Sequence, residues 1–411
     1  MIKILFSFLL LIPPVLFAQN NNTNENIAKK IDSILLANYN LGIFNGSVLV
    51  AKEGEIIYKR AFGWSDFEKR DTLKITDPMR IASVTKTFTA VAILQLVEQG
   101  KINLHEDINT YIPEIERRGM TIHHLLSHTS GIAYINGGKH FIKITKEIRK
   151  NSDSEFGIRI TNEDILAYFK NHQPEPRNKV GEKFFYSNVS YTILASLIEK
   201  VSGQKYADYL KQNIFSPLNM ENTKLYLPED LEINNTEKVK SYSIKKGKLK
   251  DGYLYYYYNN KGKLAFSNDT YGDKYILSTV EDLYKFNLAL INNKLVTKKS
   301  FKLMTTPVSE TKTKNYGYGI YNDNSISKNN HVHTGGIADF SALNYFEDNG
   351  NQIIFLTNVN SSSFFFLYHA LVHLIHEEEN KIKEIKRNKS EIEYEKLFEK
   401  QYKIKYEPLN L

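Results

Sequence analysis

Between Ser83 and Gly100 the sequence predicts a helix that is apolar on nearly every face. Such a helix has to be covered on most sides by the rest of the chain. Gly100 is a plausible end for it, because glycine readily adopts the left-handed conformation found after many helices. With 411 residues, 42% of them hydrophobic, the chain is long enough to build the large core that this helix requires. The apolar positions are Val84, Phe88, Ala90, Val91, Ala92, Ile93, Leu94, Leu96 and Val97.

The segments on either side of this helix indicate an α+β fold with an antiparallel sheet. Residues 24–40 carry isoleucine and leucine at helical spacing, and residues 46–51 and 55–58 are predicted strands joined by a turn at Glu53-Gly54. An N-terminal helix followed by a hairpin does not fit a repeated βαβ order. Later in the chain, Thr279 with an acidic residue three positions on resembles a capping box and predicts the start of a helix. After it we predict strands at 318–320, 331–335, 341–346 and 352–359, a hairpin turn at Asp348-Asn349-Gly350, and a helix at 364–377.

The predicted domain has an antiparallel sheet flanked by helices, built from both ends of the chain at about 24–80 and 275–378. A mostly helical region, about 81–274, is inserted between these two parts. Within it, residues 230–270 are polar and rich in tyrosine, which suggests an irregular loop or hairpin. Residues 379–411 are dominated by lysine and glutamate and form a charged tail. A cleft between the sheet and the helical region is the expected place for an active site.

Residues 1–18 have the pattern of a secretory signal peptide with cleavage after Ala18. Lys3 gives a basic start, and the stretch from Ile4 to Phe17 is apolar except for one serine. An uncleaved anchor is the alternative, but this stretch is shorter than the roughly 20 residues that a membrane-spanning helix needs. We therefore expect a protein that is exported to the periplasm or secreted, with no membrane span after cleavage.

The net charge of +8 is spread along the chain and does not form one basic block. Nucleic-acid binding needs a clustered basic face, so no nucleic-acid partner is expected. The chain contains no cysteine, which excludes disulfides and thiolate chemistry. We expect a monomer that acts on a small-molecule or peptide substrate.

Ser83 and Lys86 form a candidate nucleophile and base at the start of the apolar helix. Their spacing places both side chains on one helix face. A serine hydroxyl is a weak nucleophile without a base beside it, and burial can bring the pKa of a lysine down from about 10.4 toward neutral. Ser-x-x-Lys also begins at four other serines, where the ordinary explanation is an abundance of surface lysine. Those four are Ser202, Ser243, Ser309 and Ser325.

Tyr186 and Asn188 are the second candidate pair. In an extended segment, residues two apart share a face, so both side chains would point into one cleft. Tyr186 can serve as a proton shuttle in its tyrosinate form if the Lys86 cation lowers its pKa, and the Asn188 amide can hold a substrate carbonyl. The alternative is a buried tyrosine beside a loop asparagine.

The third candidate element is His333-Thr334-Gly335-Gly336, directly before a predicted strand pair. Glycines on a strand that faces a cleft let a substrate approach the backbone closely. The amides of Gly336 and Ser83 can together form an oxyanion hole. The alternative is a glycine-rich start of a strand with a surface histidine.

Taken in order, these three elements resemble the signature motifs of the serine β-lactamase and penicillin-binding-protein superfamily. The sequence around Ser83, from Arg80 to Ala90, resembles the nucleophile helix of the class C β-lactamase-like, D,D-peptidase and esterase branch. Other similar segments are 124–131 (His-Leu-Leu-Ser-His-Thr-Ser-Gly), 181–188, 201–203 and 316–319. The resemblance covers about residues 25–375.

The resemblance implies an α+β fold of the β-lactamase/transpeptidase type and an acyl-enzyme mechanism. Ser83 attacks a carbonyl, Lys86 and Tyr186 manage the proton, and His333 completes the catalytic set. Substrate binding then falls to the remaining motif residues, namely Asn188, Thr334, Gly335 and Gly336. The implied reaction is cleavage of an amide or ester, in a D-amino-acid peptide, an ester or a β-lactam-like substrate, without a cofactor or metal.

His333 stands where class C β-lactamases usually carry lysine. A lysine there is charged at neutral pH and can hold the carboxylate of a β-lactam, whereas a histidine is mostly neutral. The sequence therefore favours peptidase or esterase work over antibiotic hydrolysis. A non-catalytic binder or sensor of cell-wall fragments or β-lactams on the same fold is the alternative function.

Two other enzyme classes fit the sequence poorly. His124 and His128 have the i,i+4 spacing of metal ligands, and His123 adjoins them, but the His-Glu-x-x-His pattern is absent. The resemblance makes this segment a structural corner. Gly-x-Ser-x-Gly is also absent, which removes the α/β-hydrolase interpretation.

Overall fold

The computed structural model describes most of the chain. Three of the sequence predictions fall mainly outside the described residues: the signal peptide, the charged tail, and much of the tyrosine-rich segment. The described residues are 15–132, 158–227, 238–245, 248–251, 257–258, 264–308, 315–322, 327, 329–360 and 364–377.

Nine α-helices lie in the described part of the chain, and none of them is long and apolar enough to cross a membrane. The predicted helices at 24–40, after Ser83, after Thr279 and near 364 are all present. The helices are α1 (Val15–Asn40), α2 (Thr85–Glu98), α3 (Ile122–Leu126), α4 (Asn162–His172), α5 (Asn188–Ser202), α6 (Tyr206–Leu210), α7 (Val280–Ile291), α8 (Lys298–Thr305) and α9 (Phe364–Ile375).

The strands are short except where they form the main sheet. They are β1 (Gly46–Lys52), β2 (Glu55–Phe62), β3 (Trp64–Asp66), β4 (Asp71–Thr72), β5 (Met79–Arg80), β6 (Ile158–Ile160), β7 (Lys224–Leu225), β8 (Tyr242–Lys245), β9 (Lys248–Asp251), β10 (Tyr257–Tyr258), β11 (Leu264–Asn268), β12 (Ile276–Ser278), β13 (Asn330–Ile337), β14 (Phe340–Glu347), β15 (Gln352–Thr357) and β16 (Val359–Asn360).

The main sheet joins the two ends of the chain in the antiparallel order β13-β14-β15-β1-β2. Two of its connections are hairpins at the predicted turns. Glu53 and Gly54 have φ values of 53° and 83°, and Gly350 has φ 93°, so each turn uses the left-handed region. β13 is an edge strand of this sheet, which matters for the site described below.

Alternate residues of β1 face two different cores, as a strand buried on both sides requires. Val48 and Val50 pack in the core under α1 and α9. Leu49 and Ala51 belong to the larger core that surrounds α2. The sheet therefore has helices on both faces, and the helical region of the chain lies against the face that carries the larger core.

Helix α2 is buried over almost its whole length, as the sequence predicts; all its residues except Gln95, Val97 and Glu98 are buried. The ring of Phe88 stacks on Phe286 of α7 at 4.0 Å. The start of the helix differs from the prediction, because a 3₁₀ turn at 82–84 precedes the first α-helical residue. Ser83 lies in that turn and Lys86 in the first turn of α2.

Candidate active site

Ser83 is presented by a strained turn. Its neighbour Ala82 is buried and has φ 47°, a conformation that residues with a side chain seldom adopt. Backbone strain of this kind persists where the surrounding structure enforces it, and it clusters at functional sites. Ser83 itself is partly exposed, whereas Lys86 is completely buried. The hydroxyl is open to a substrate and the amine is not.

Lys86 is held between Ser83 and the loop before β12. Its Nζ donates to Ser83 Oγ and to the backbone oxygen of Asp273, each at 3.0 Å. Burial lowers the pKa of Lys86 to about 8, and the negative charge of Asp273 partly opposes this shift. An amine with this pKa is neutral in a useful fraction of molecules near pH 7 to 8 and can accept the serine proton.

Tyr186 lies beside both groups. Its ring centroid is 4.9 Å from Lys86 Nζ, and its hydroxyl is hydrogen-bonded to Ser83. Burial raises the pKa of Tyr186 well above its usual value, although the bond to Ser83 acts in the opposite direction. The sequence hypothesis of a tyrosinate favoured by the Lys86 cation is therefore wrong for this structure. The loss of water on burial is the largest effect on this pKa, and the charge of Asp273 adds to it, so Tyr186 is a neutral proton donor.

Asn188 is near Tyr186 but not on a shared extended face. Ser187 is extended, with φ −133° and ψ 115°, and its hydroxyl accepts from the Ser190 amide as the N-cap of α5. Asn188 is the first helical residue, so the predicted extended segment ends one residue earlier. Its Oδ1 is buried and has no hydrogen-bond partner within the described ranges, so the amide retains capacity to bind a ligand.

His128 fixes the segment that carries Tyr186. The Ser187 amide donates to His128 Nδ1 at 3.1 Å, and the Phe185 amide donates to the His128 carbonyl at 2.7 Å. Because Nδ1 accepts a bond, the ring is neutral with its proton on Nε2. Burial and the charge of Lys86 hold the pKa of His128 well below its usual value, in agreement with that state. The 124–131 motif is thus a support for the Tyr186 segment.

The other histidines of this corner also bond to protein groups. His123 Nδ1 lies 2.7 Å from the Tyr318 hydroxyl, and His124 Nδ1 lies 2.9 Å from the Thr121 hydroxyl. In the described part of the chain, no group of three or more His, Asp or Glu side chains has a metal-binding arrangement.

The edge strand β13 runs along the nucleophile turn. Val332 exchanges two backbone hydrogen bonds of 2.9 Å with Tyr321, on the side away from β14. Backbone groups of a strand alternate between its two sides, so the amides of Thr334 and Gly336 also point away from β14. A Cβ on Gly335 would lie only 2.9 Å from the Ser83 nitrogen. The two amides named for the oxyanion hole thus belong to elements in direct contact.

His333 is buried and neutral. Its Nδ1 lies 2.8 Å from the Thr334 carbonyl and donates to it, which leaves Nε2 as acceptor for the Tyr316 hydroxyl at 3.3 Å. Burial and the nearby Lys86 charge lower the pKa of His333 to about 3. The side chain therefore cannot act as a cation at physiological pH. It lies beside Tyr316, and its ring centroid is 6.5 Å from that of Tyr186.

Sequence reasoning missed three residues that complete the site. Asp273 binds Lys86 through its carbonyl, Tyr316 binds His333, and Tyr191 places its ring 5.7 Å from Lys86 Nζ. Tyr316 belongs to a segment already noted as similar to the family. Asp273 gave no signal, because an Asp-Lys pair in a polar stretch is indistinguishable from surface charge until the chain is folded.

The tight contact of Gly335 predicts a sharp difference between two adjacent glycines. A Cβ on Gly335 would lie 2.2 Å from the Ile81 carbonyl, whereas a Cβ on Gly336 would meet no atom within 4 Å. We expect Gly335→Ala to lower the free energy of unfolding by about 1–3 kcal/mol through overpacking. Gly336→Ala should leave it unchanged. Thermal unfolding of both variants measures this, and equal Tm values would contradict the close packing of β13 on the nucleophile turn.

Comparison with known proteins places these features in a family. The Beta-lactamase family model matches residues 32–376. Penicillin-binding protein 4* of Bacillus subtilis (strain 168) is 30% identical over 335 residues, which cover 77% of this chain and 68% of that protein.

Two solved structures share the fold at low sequence identity. EstCE1, described as a hydrolase with promiscuous acyltransferase activity, has a TM-score of 0.67 and 20% identity, covering 87% of this chain and 99% of its own. The D-amino acid amidase from Ochrobactrum anthropi SV3, in complex with L-phenylalanine amide, has a TM-score of 0.59 and 19% identity, covering 88% and 99%. They confirm the α+β fold with helices around an antiparallel sheet. The family match and the relative in Bacillus subtilis show that the chain belongs to the Beta-lactamase family.

Proposed function

We propose that this chain is an exported, monomeric serine hydrolase that cleaves an amide or ester through an acyl-enzyme on Ser83. The observation that carries the proposal is the position of Lys86, which is fully buried and 3.0 Å from the Ser83 hydroxyl. A buried amine with a lowered pKa next to an accessible serine is the arrangement that activates a hydroxyl. The family match and the hydrolases among the structural neighbours support the class of serine hydrolase on this fold.

The geometry supports the following reaction. Ser83 Oγ attacks the substrate carbonyl carbon, and its proton passes to neutral Lys86. The oxygen of the tetrahedral intermediate is stabilised by the outward amide of Gly336 and the amide of Ser83. Tyr186, a neutral donor in contact with Ser83, gives a proton to the leaving nitrogen or oxygen and is reprotonated from Lys86. Water then attacks the ester carbon of the acyl-enzyme by the reverse proton path and releases the acid.

The neutral state of His333 bears on the substrate class. A cation at this position can hold a carboxylate at the leaving-group end of the substrate, but His333 is uncharged and bonded to Thr334 and Tyr316. We propose that the enzyme prefers esters and amides that have no free carboxylate there. The D-amino acid amidase, solved with an amino acid amide bound, agrees with this preference.

A matched substrate pair tests this preference. We expect D-alanyl-D-alanine amide to be cleaved with a kcat/KM at least about 10-fold above that of D-alanyl-D-alanine, because a missing charged hydrogen bond is worth about 1.5–3 kcal/mol. His333→Lys should reduce the ratio of kcat/KM for the amide to kcat/KM for the free acid. His333→Gln, which adds no charge, should leave this ratio unchanged. Equal rates on the two substrates in the wild-type enzyme would refute the preference for a neutral end.

A further inference from the structure

A buried ion pair lies directly behind Lys86. Asp273 and Lys274 are 1% and 6% exposed, and Lys274 Nζ lies 3.1 Å from Asp273 Oδ1. Lys274 is anchored further by two bonds of 2.7 Å, to the carbonyl and the hydroxyl of Thr270. The carbonyl oxygen of the same Asp273 accepts a hydrogen bond of 3.0 Å from Lys86 Nζ. The pair and the proposed base are thus joined through one residue.

The loop that carries the pair is fixed from several sides. The carbonyl of Gly272 accepts from the Thr89 hydroxyl of α2 at 2.6 Å, and a Cβ on Gly272 would lie 2.4 Å from the Tyr191 carbonyl of α5. Tyr275 closes the loop in the left-handed conformation, with φ 76°. Its hydroxyl donates to the Asn268 carbonyl at 2.6 Å. Asp273 therefore has a defined position relative to α2.

Burying such an ion pair contributes little net stability to the folded state. Two charges removed from water lose solvation that their attraction only partly restores, and apolar side chains of similar size would often be as stable or more so. A buried pair next to a titrating group has another effect, because each charge acts on that group through a medium of low dielectric constant. Burial lowers the pKa of both lysines; against that background the Asp273 carboxylate raises the pKa of Lys86, and the charge of Lys86 lowers the pKa of Lys274.

Several groups face Lys86 from the elements packed around it. Two are the pair itself, from the loop before β12. Two histidines are neutral, and two tyrosines present their rings. The facing groups are Asp273, Lys274, His128, His333, Tyr186 and Tyr191. Since the histidines and tyrosines carry no charge near pH 7, the pair supplies the fixed charges nearest to the base within this set.

We propose that the buried Asp273–Lys274 pair is a positioning element that holds Lys86 against Ser83 and sets the pH at which Lys86 becomes a base. The inference rests on the proposed function, in which Lys86 accepts the Ser83 proton. The carbonyl of Asp273 fixes the place of Lys86 Nζ. The opposite charges of the two side chains hold its proton affinity between the values that either charge alone would produce.

Two substitutions separate the charges while keeping the carbonyl in place. Asp273→Asn leaves Lys274 as an uncompensated cation, which should make Lys86 lose its proton at lower pH. Lys274→Met leaves the carboxylate alone, which should make Lys86 keep its proton to higher pH. The measurement is the rate at which a fluorophosphonate labels Ser83 as a function of pH. In a plot of labelling rate against pH, the rate rises as Lys86 loses its proton. We expect this rising limb to move by about one pH unit, in opposite directions in the two variants.

A buried carboxylate with a partly exposed lysine partner provides the control. Asp282 of α7 is 1% exposed and lies 3.2 Å from Lys285 Nζ, and Asp282→Asn removes a buried carboxylate away from Lys86. It should lower stability without moving the limb. Rates are measured on variants whose folding is verified by circular dichroism. If one single variant does not fold, the double variant Asp273→Asn/Lys274→Met is measured instead. Because the double variant has neither charge, its rising limb should return toward that of the wild type.

The outcomes distinguish this proposal from the proposed function. If Ser83 in the folded wild-type protein is not labelled at any pH, the proposed function fails. If the wild type is labelled but the two single variants move the limb in the same direction or not at all, the pair is structural only and the present inference is overturned. Opposite shifts, with no shift in Asp282→Asn, support it.

Discussion

Ser83→Ala is expected to lower the turnover of a short-chain p-nitrophenyl ester by about 10⁴–10⁶-fold, the range found when a serine hydrolase loses its nucleophile. Neither neighbouring group can take the place of Oγ, because Lys86 is fully buried and Tyr186 is held neutral by burial. The variant should also lose all fluorophosphonate labelling. Both the esterase rate and the mass of the labelled protein are direct measurements.

The chain contains a matched control for this substitution. Ser202 also begins a Ser-x-x-Lys sequence, with Lys205, but it lies in the last turn of α5, where its hydroxyl accepts from the Gln204 amide at 3.1 Å. Ser202→Ala should retain wild-type turnover and labelling. Ester turnover that persists in Ser83→Ala would rule out the acyl-enzyme. A wild type that binds cell-wall fragments without turnover, with unchanged binding in Ser83→Ala, would favour the sensor alternative.

The sequence was informative where the cause of a feature is local. The apolar periodicity after Ser83 predicts a buried helix, and the turn chemistry of Glu53-Gly54 and Asp348 to Gly350 predicts two hairpins. Thr279 caps α7 as expected, because its hydroxyl accepts from the Asp282 amide. In each case, residues within a few positions of one another determine the geometry, so the pattern and the structure agree.

The sequence did not predict features that depend on the whole fold and not on neighbouring residues. The direction of the Tyr186 pKa depends on how much water the whole fold removes, and no motif states that amount. The importance of Asp273 depends on a contact with a lysine 187 positions away. The predicted extended segment reached Asn188, whereas the helix begins there, because the cap formed by Ser187 is a weak local signal. The order of the motifs was enough to locate the site. The pKa directions and charge contacts within the site could be derived only from the folded structure.

Lys86→Met is the second substitution with a large expected effect, a loss of about 10²–10⁴-fold in kcat/KM, as when a general base is removed. In the wild type, kcat/KM should rise with pH through a limb near the Lys86 pKa of about 8, because the neutral amine is the active form. The variant should have no such limb. Lys205→Met, at an exposed lysine, should keep both rate and limb.

The same substitution has a thermodynamic signature that does not depend on catalysis. The folded-state pKa of Lys86, about 8, lies below the usual lysine value of 10.5, so between these values the unfolded chain binds more protons than the folded one. Lys86 should therefore contribute a rise of about 3 kcal/mol to the wild-type free energy of unfolding across that window, and the penalty of its buried charge is full below it. Lys86→Met should lack this rise and should be as stable as the wild type, or more so, at pH 7. A denaturant series from pH 7 to 10.5 measures it. If wild type and variant follow the same pH curve, the Lys86 pKa is unshifted in the folded state, and the lysine cannot be the neutral base that the Ser83 mechanism needs.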